Sequence, residues 1–524
     1  MARRESSRRR RRRRAVIRNR IILAVLIVIL IALCGTLVYV LMNGKGDGKS
    51  QTKDAVENQT GESVGTDGQV QTTDPAEITE PTTAGESSNT PVEELPDTFE
   101  TAPDWGEPDV ASTGNAVLDE ANVMAAMYDY DGAIELLQGQ SDYAAHQEYA
   151  DAVTGYEAEK AKLVKWSDNT KIPHVFFHSL VVDPTTAFSS YKADEYNQVM
   201  TTIDEFCKII QSMYDKGYVL VGLHDIAEMQ IQEDGTEKMV QKEILLPEGK
   251  TPFVLSVDDV SYYEYMTGTG FASRLVIGGD GKVTNEMDVY DENGNVTDTY
   301  TGSFDVLPIL EDFIAVHPDF SYRGAKGIIA LTGYNGILGY RTSDISYGPG
   351  NTTYPSAHLW DNENIEADKQ TAKTVAEAIK AQGWEFASHS WGHYGMQTMD
   401  EEHFMRDTDW WEAEVEPLIG ETDILIFPLG EDIGSWRPYN DPQQLAVTPT
   451  RYAKLKEVGF DYFCNVDGSV EAWVQFGSDY MRQGRRNLDG TRMWEAIQGT
   501  DRLSDLFDAA EVFDPLRPTP VPGV

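Results

Sequence analysis

The spacing of apolar residues divides the chain into segments of different period. Residues 21–42 form a run of 22 residues without a charge, long enough to cross a bilayer as a helix. Between residues 111 and 168 apolar positions recur every three or four residues, which predicts a small segment of antiparallel helices. From residue 169 to about residue 513 strand-like and helix-like patterns alternate. This alternation predicts an α/β domain whose parallel sheet is covered by helices, either open or closed as a barrel.

Charge predicts the orientation of the apolar run. Eleven of the first 20 residues are arginines, and this Arg-rich segment directly precedes the run. The positive-inside rule therefore leaves residues 1–20 in the cytoplasm and everything after residue 42 outside. No small-residue cleavage site follows closely, so an uncleaved signal-anchor is predicted. We expect a single-pass protein of the cell membrane with an extracellular C-terminal domain.

Composition marks two segments with little to bury. Residues 43–110 are mostly Thr, Ser, Gly, Pro, Glu and Asp, which predicts a disordered acidic linker. Residues 514–524 form a Pro-rich tail that we expect to be extended and unstructured. The formal net charge is −43, and the chain beyond the arginines is more acidic still. Such a surface repels nucleic acid, so the substrate is expected to be neutral or cationic.

Polar residues follow strand-like runs at three places. Asp258 and Asp259 end the run FVLSV, His178 ends VFF, and His389 and His393 follow WEFAS in the phrase HSWGH. Adjacent carboxylates repel unless a cation or proton intervenes, and side chains alternate along a strand, so one can bind a metal while the other acts as a base. Two histidines four residues apart can reach one cation, and zinc favours nitrogen ligands. Taken singly, each pattern is also common at solvated turns and in packed histidines.

In this order the motifs resemble the polysaccharide deacetylases, the NodB-homology carbohydrate esterases, over about residues 171–494. SVDDV lies where that family carries F-D-D-G, with Val260 in place of the glycine, and HSWGH matches the second family motif. The resemblance implies a distorted (β/α) barrel that removes N-acetyl groups from an amino-sugar polymer. It also implies a divalent metal, zinc in the first place, with cobalt or nickel as alternatives.

The resemblance assigns roles to the strand-end residues. Asp259, His389 and His393 would bind the metal, and Asp258 would be the general base. Many members place the general acid in a C-terminal L-x-H motif, which this chain lacks. A subgroup that acts on poly-N-acetylglucosamine uses a histidine at the end of the first strand instead. The phrase FFHS resembles that feature, so His178 is the expected acid.

The third family motif has two candidates. Pro428, Leu429 and Gly430 lie where members carry an aromatic-Pro-x-Gly turn, and a backbone N–H after the proline could bind the oxyanion. Arg437 in the phrase WRPY resembles the arginine that orients the catalytic aspartate, although the sequence favours a surface turn for this phrase. Trp391 could offer a stacking face to a sugar ring or be a packing residue.

Three hypotheses follow. The leading one is a membrane-anchored, extracellular, metal-dependent deacetylase of a cell-wall or exopolysaccharide glycan. The alternative is a non-catalytic glycan-binding relative that retains the fold, which Val260 and the imperfect third motif suggest. A third is an unrelated metal-dependent amidase acting on wall peptides.

Overall fold

The computed structural model describes residues 95–351, 357–439, 441, 443 and 449–524. The Arg-rich segment, the predicted signal-anchor and residues 43–94 of the predicted linker lie outside these ranges. Among the described residues, no helix is both long enough and apolar enough to cross a bilayer.

Three helices precede the α/β domain. They are α1 (Ala116–Ala126), α2 (Tyr130–Gln138) and α3 (Gln147–Lys160). The side chain of Asn115 accepts hydrogen bonds from the first N–H groups of α1 and so caps it. The helices bury their own small apolar cluster. Between α1 and α2, the Tyr128 hydroxyl donates to the Asp319 carbonyl at 2.9 Å, which ties this segment to the α/β domain.

Strands and further helices then alternate. The strands of the described residues are β1 (Val164–Lys165), β2 (His174–Phe177), β3 (Tyr218–Leu220), β4 (Ala227–Ile231), β5 (Glu237–Gln241), β6 (Leu245–Leu246), β7 (Thr251–Val257), β8 (Arg274–Ile277), β9 (Val283–Tyr290), β10 (Val296–Gly302), β11 (Ile328–Leu331), β12 (Glu385–Ser388), β13 (Ile424–Ile426), β14 (Tyr462–Val466), β15 (Val474–Phe476) and β16 (Met481–Asn487). The helices after α3 are α4 (Pro184–Ala187), α5 (Ala193–Val199), α6 (Ile203–Asp215), α7 (Leu223–Ile226), α8 (Val306–Val316), α9 (Asp344–Tyr347), α10 (Ile365–Ala381), α11 (Glu401–Glu414), α12 (Glu416–Ile419), α13 (Pro449–Val458), α14 (Gly490–Ile497) and α15 (Ala509–Val512).

Seven parallel strands close into a barrel. Their order around it is β2, β7, β11, β12, β13, β14 and β16, and β16 pairs again with β2. The predicted α/β class and the parallel barrel are therefore confirmed. In a parallel barrel all strands end at the same opening, so the residues that follow them converge there.

The sequence of β7 shows why the strand is buried on both sides. Phe253, Leu255 and Val257 belong to the large apolar cluster shared with the surrounding helices. Val254 belongs to a second cluster, and Ser256 is also fully buried. Because side chains alternate along a strand, one set faces the helices and the other faces the barrel interior.

The end of the predicted linker is ordered. Within residues 95–110, the Glu100 N–H donates to the Val182 carbonyl at 2.7 Å, and Trp105 packs edge-on against Phe313 with ring centroids 4.8 Å apart. The prediction of disorder is therefore wrong for this stretch. Its few apolar residues find a preformed surface on the domain, which composition alone does not reveal.

The Pro-rich tail is also ordered, contrary to the prediction. Arg517 is fully buried, and its guanidinium donates to the Glu205 carboxylate at 2.5 and 2.9 Å and to the Met200 carbonyl at 2.9 Å. Val521 is buried as well. A single buried and fully paired arginine fixes a segment that has no regular period of its own.

Candidate active site

The predicted site residues meet at the carboxyl end of the barrel. Asp258 and Asp259 directly follow β7, His178 follows β2, and His389 follows β12. His393 lies in the loop after β12, four residues further on. The structure thus brings all five strand-end residues to one opening of the barrel.

Asp259, His389 and His393 form a candidate metal-binding triad. One ligand atom from each lies within 4.8 Å of the other two. The Asp259 carboxylate is 3.9 Å from His389 Nε2 and 3.5 Å from His393 Nε2. Ligand atoms bound about 2.1 Å from one tetrahedral ion lie roughly 3.4 Å apart, so these separations fit a zinc-sized cation after small adjustments.

The tautomer of His389 also fits a metal ligand. Its Nδ1 is 2.9 Å from the Ile426 carbonyl oxygen, which can only accept, so Nδ1 carries the proton. The Nε2 lone pair then points toward the carboxylates. Burial lowers the pKa of His389 and outweighs the neighbouring carboxylates, so the ring stays neutral. The ligand atoms of Asp259, His389 and His393, together with the neutral His389 ring, therefore fit a divalent metal ion.

The backbone of the triad takes unusual conformations. Asp259 has φ 62°, Ser390 has φ 59° and His393 has φ 56°, all in the left-handed region. Each such non-glycine residue costs about 1 kcal/mol or more, and such strain clusters at functional sites. Val260 is not among the residues with positive φ and is buried, with its carbonyl accepting from the Leu338 N–H at 3.0 Å. Val260, at the position where the resembled motif has glycine, is therefore accommodated without backbone strain.

Asp258 is held by an arginine that the sequence did not reveal. Arg485 donates from Nη1 to Asp258 Oδ1 at 2.7 Å and from Nη2 to Oδ2 at 2.9 Å, with both side chains buried. Burial favours the neutral carboxyl, but the charge and hydrogen bonds of Arg485 outweigh it and hold the pKa of Asp258 far below its usual value. Asp258 is therefore an oriented carboxylate that stays ionised.

A polar chain inside the barrel supports Arg485. Its Nη1 also donates to Ser256 Oγ at 3.0 Å, and Ser256 Oγ lies 3.0 Å from His174 Nε2. His174 Nδ1 lies 3.1 Å from Gln483 Oε1. Burial, followed by the charge of Arg485, keeps the pKa of His174 well below its ordinary value. A neutral His174 with its proton on Nδ1 satisfies every partner in this chain, which positions the guanidinium.

His178 lies at the same opening. Its side chain is half-buried, and its Nδ1 is 3.1 Å from the Val199 carbonyl oxygen, to which it donates. The ring is near enough to contribute to lowering the pKa of both Asp258 and Asp259. Its Nε2 remains as the atom that can exchange a proton with a bound group.

The turn after β13 keeps its candidate role. Gly430 and Glu431 donate their N–H groups to the carbonyls of Phe427 and Pro428, and the Leu429 N–H takes no part in these turn hydrogen bonds. Leu429 has φ 56°, and two-thirds of its surface is exposed. The Leu429 N–H therefore stays the candidate oxyanion donor that the sequence predicts.

Two candidates do not take the predicted roles. Arg437 does not contact Asp258; its guanidinium lies over the Trp436 ring and 3.7 Å from Asp441. Trp391 is buried, and its Nε1 donates to Glu414 at 2.7 Å. Trp391 is therefore a packing residue that braces the HSWGH loop, because its ring has no exposed face for a sugar.

Tyr263 is a further site residue that sequence analysis missed. Its hydroxyl lies 2.5 Å from Asp259 Oδ1 and 2.8 Å from Thr332 Oγ1. Its ring stacks between Tyr265 and Tyr334, with centroids 5.2 and 5.3 Å away. Such a partner orients a ligating carboxylate. The sequence signal that could have found it is the pair of tyrosines four and five residues after Asp258.

Comparison with known proteins adds little. No protein family matches the sequence, and no curated protein matches it either. Among solved structures, the chain is similar to the Streptococcus pyogenes deacetylase PplD in complex with acetate, at 13% sequence identity and a TM-score of 0.31. That similarity covers 63% of this chain and 95% of the other. We therefore base the function on the side chains of the site.

Proposed function

We propose that this protein is a metal-dependent deacetylase that removes N-acetyl groups from an amino-sugar polymer. The observation that carries the proposal is the juxtaposition of a metal-ligand triad with a buried, ionised carboxylate. Asp258 Oδ2 lies 3.9 Å from His389 Nε2, so proton acceptor and metal ligands share one opening. An amide hydrolase of this kind needs both functions at the reacting carbon.

The triad residues would hold the ion. Asp259 offers one oxygen, and His389 and His393 offer one nitrogen each. Three protein ligands leave coordination positions open, as in catalytic zinc sites, and the same donors also suit cobalt or nickel. When bound, the metal would lower the pKa of a water molecule and polarise the acetyl oxygen.

The remaining residues move protons and stabilise charge. Asp258 accepts a proton from the attacking water, and Arg485 keeps its carboxylate oriented and ionised. The Leu429 N–H donates to the oxygen that becomes negative. His178 donates a proton to the leaving nitrogen as the C–N bond breaks. The products are acetate and a free amine, since one water has been added across the amide.

Acetate release tests the proposal. The full-length chain, purified in detergent and loaded with zinc, is expected to release acetate from acetylated chitooligosaccharides. Asp258→Asn should reduce the rate by about a thousandfold, within the usual range for loss of a general base. Equal acetate release by the wild-type protein and by Asp258→Asn would contradict the proposal. Mass spectrometry of products from wall material separates loss of acetyl groups from cleavage of wall peptides.

One observation favours a non-catalytic glycan-binding protein instead. Both oxygens of Asp258 are bound by Arg485, and a carboxylate held at such a low pKa is a weak base. In that case calorimetry would show oligosaccharide binding to the metal-loaded protein, while no acetate appears with zinc, cobalt or nickel.

We also propose that the chain is anchored in the cell membrane by residues 21–42, with the barrel domain outside. The support is the sequence pattern of an arginine block followed by an uncharged run. Protease added to intact cells should remove the C-terminal domain and leave the Arg-rich terminus protected. Protection of the C-terminal domain until the cells are lysed would refute this topology.

A further inference from the structure

A cleft of about 1260 Å³ borders the loop that follows His393 and extends to the amino ends of β2, β3 and β7. Gln397, four residues after His393, lines it together with Glu431. Glu431 accepts a hydrogen bond from Thr398 Oγ1 at 2.9 Å, so the cleft borders the loop that carries the second metal-ligating histidine. From there it continues past the loops that follow β13 and β14. A polymer whose reacting unit lies at the triad could extend into this cleft.

Two tryptophans line the cleft. Trp436 has 78% of its surface exposed, the largest fraction of any bulky apolar side chain in the described residues. Arg437 covers one face of its ring at 4.8 Å. Trp473 is half-buried and is held in place because its Nε1 donates to Asp467 Oδ2 at 2.9 Å. Aromatic faces beside polar groups suit ligands with both apolar and hydroxylated surfaces, as sugar rings have.

The charge of the cleft is negative. Six carboxylates line it, against the cations Lys171, Arg482 and Arg502. Arg482 and the buried Asp432 neutralise each other at 2.6 Å, and Asp505 is paired with Arg486 at 2.7 Å, so the excess negative charge comes from the other four carboxylates. Among the described residues, the lining carboxylates Glu431, Glu471 and Asp501 have no ion-pair partner. An acidic cleft in a chain of net charge −43 attracts cations and repels anionic glycans.

We propose that this cleft binds a stretch of the substrate polymer that has already lost its acetyl groups. The inference rests on the proposed function, because deacetylation converts each neutral N-acetyl unit into an amine that is cationic when protonated. Trp436 and Trp473 contact the sugar rings, and the unpaired carboxylates attract the ammonium groups. The protein then prefers partly deacetylated chains and acts next to units it has already processed.

Binding, rather than turnover, tests this inference. The probes are a hexamer of glucosamine, a hexamer of N-acetylglucosamine and a dimer of glucosamine, each titrated calorimetrically into the zinc-loaded full-length Asp258→Asn protein. The glucosamine hexamer is expected to bind about tenfold more tightly than either other probe. That advantage should vanish near 1 M salt, where the screening length is about 3 Å.

Two exposed side chains provide the variants. Trp436→Ala should weaken binding of the glucosamine hexamer about tenfold, equivalent to about 1.4 kcal/mol, and Glu471→Gln should weaken it about threefold. Ile231→Ala, an exposed apolar position on β4 outside the cleft, is the matched control and should bind like the parent. Equal affinity for all three probes would overturn the inference, as would no change in Trp436→Ala.

The two proposals can fail separately. The wild-type chain could release acetate from short oligosaccharides while the protein binds the three probes equally. The cleft proposal then fails and the deacetylase proposal stands. Preferential binding of the glucosamine hexamer, lost in Trp436→Ala, supports the cleft whether or not acetate is released. In that second case the function would be recognition of a cationic glycan.

Discussion

Two histidine–carboxylate clusters lie at opposite ends of strand β12. At its carboxyl end, His389 faces Asp258 and Asp259 from 3.9 Å, beyond hydrogen-bond distance. At its amino end, Glu385 contacts His224 Nδ1, and Asp423 contacts the Nε2 of the same ring at 3.0 Å. Both clusters combine imidazole with carboxylate groups, but only the first has ligand atoms arranged for a metal among the described residues.

The difference lies in what each imidazole does with its two nitrogens. Burial alone would lower the pKa of both the His224 ring and the His389 ring. At His224 the two carboxylates outweigh burial and raise the pKa well above its ordinary value, so the ring is a cation without a free lone pair. At His389 one nitrogen donates to the Ile426 carbonyl, and the other stays unprotonated. The carbonyl partner thus leaves His389 Nε2 available to a metal, whereas both nitrogens of His224 are occupied by carboxylates.

Substituting His389 and His224 one at a time should give the largest difference between the two clusters. His389→Ala should lose the bound metal and reduce acetate release at least about a thousandfold, equivalent to about 4 kcal/mol in the barrier. His224→Ala should keep one metal per chain but lower the free energy of unfolding by about 3 kcal/mol, because Glu385 and Asp423 lose their common cation. Elemental analysis after dialysis and urea titration measure the two effects. Metal loss in both variants would show that the clusters are not functionally distinct.

Arg485, which pairs with Asp258, allows a second test at the carboxyl end of β12. Arg485→Met should reduce kcat about a hundredfold with little change in KM, because a misplaced base affects the chemical step more than binding. Arg485→Lys should recover part of kcat, since an ammonium keeps the charge but not the two-pronged geometry. Metal content should be unchanged in both. A parallel loss of metal, or a rise in KM alone, would contradict a positioning role.

Sequence predicted the metal side of the site better than the base side. The candidate ligands Asp259, His389 and His393 occur in two short phrases, each placed by the strand it follows. Strand ends of a parallel barrel converge, so two correct strand predictions were enough to bring the phrases together. The family resemblance then supplied the roles.

Arg485 could not be predicted in the same way. It pairs with Asp258 across 227 positions in the sequence, and its strand, MRQGRRN, lacks an apolar period. This strand is buried because its arginines and glutamine are paired inside the structure, and no local pattern encodes such pairing. Arg437 lies in a phrase that resembles the family motif, but it contacts Trp436 and Asp441, as the favoured interpretation of a surface turn implies. The ordered tail escaped prediction for the same reason, since Arg517 depends on distant Glu205.

The cationic His224 at the amino end of β12 should make the stability of the folded protein depend on pH. Besides Glu385 and Asp423, Asp225 and Tyr462 lie near the His224 ring, and Lys242 donates to the His224 carbonyl at 2.8 Å. A raised pKa means that the stabilisation is complete below about pH 6.5, the unfolded value, and is lost as pH rises through the folded pKa.

As pH rises above about 6.5, this group should lower the free energy of unfolding by up to about 1.4 kcal/mol per pH unit. Urea unfolding of the wild-type chain and of His224→Ala measures the difference, which isolates this one group. The wild type should lose stability relative to the variant as pH rises. Parallel curves over that range would mean that His224 is not a cation in the folded protein.

Tyr263 provides the smallest and most specific test at the carboxyl end. Its hydroxyl holds Asp259 Oδ1, the side of the carboxylate that also faces His389, and no comparable neutral donor contacts Glu385 among the described residues. Tyr263→Phe keeps the ring stack with Tyr265 and Tyr334 and removes only the hydroxyl. Zinc affinity, measured by competition with a chelator, should fall about tenfold, the lower end of the range for a residue that orients a ligand. Thr332→Val, which removes the second partner of that hydroxyl, should cost less, because Tyr263 can still donate to Asp259. An affinity unchanged in Tyr263→Phe would mean that the carboxylate is oriented by the metal and the two histidines alone.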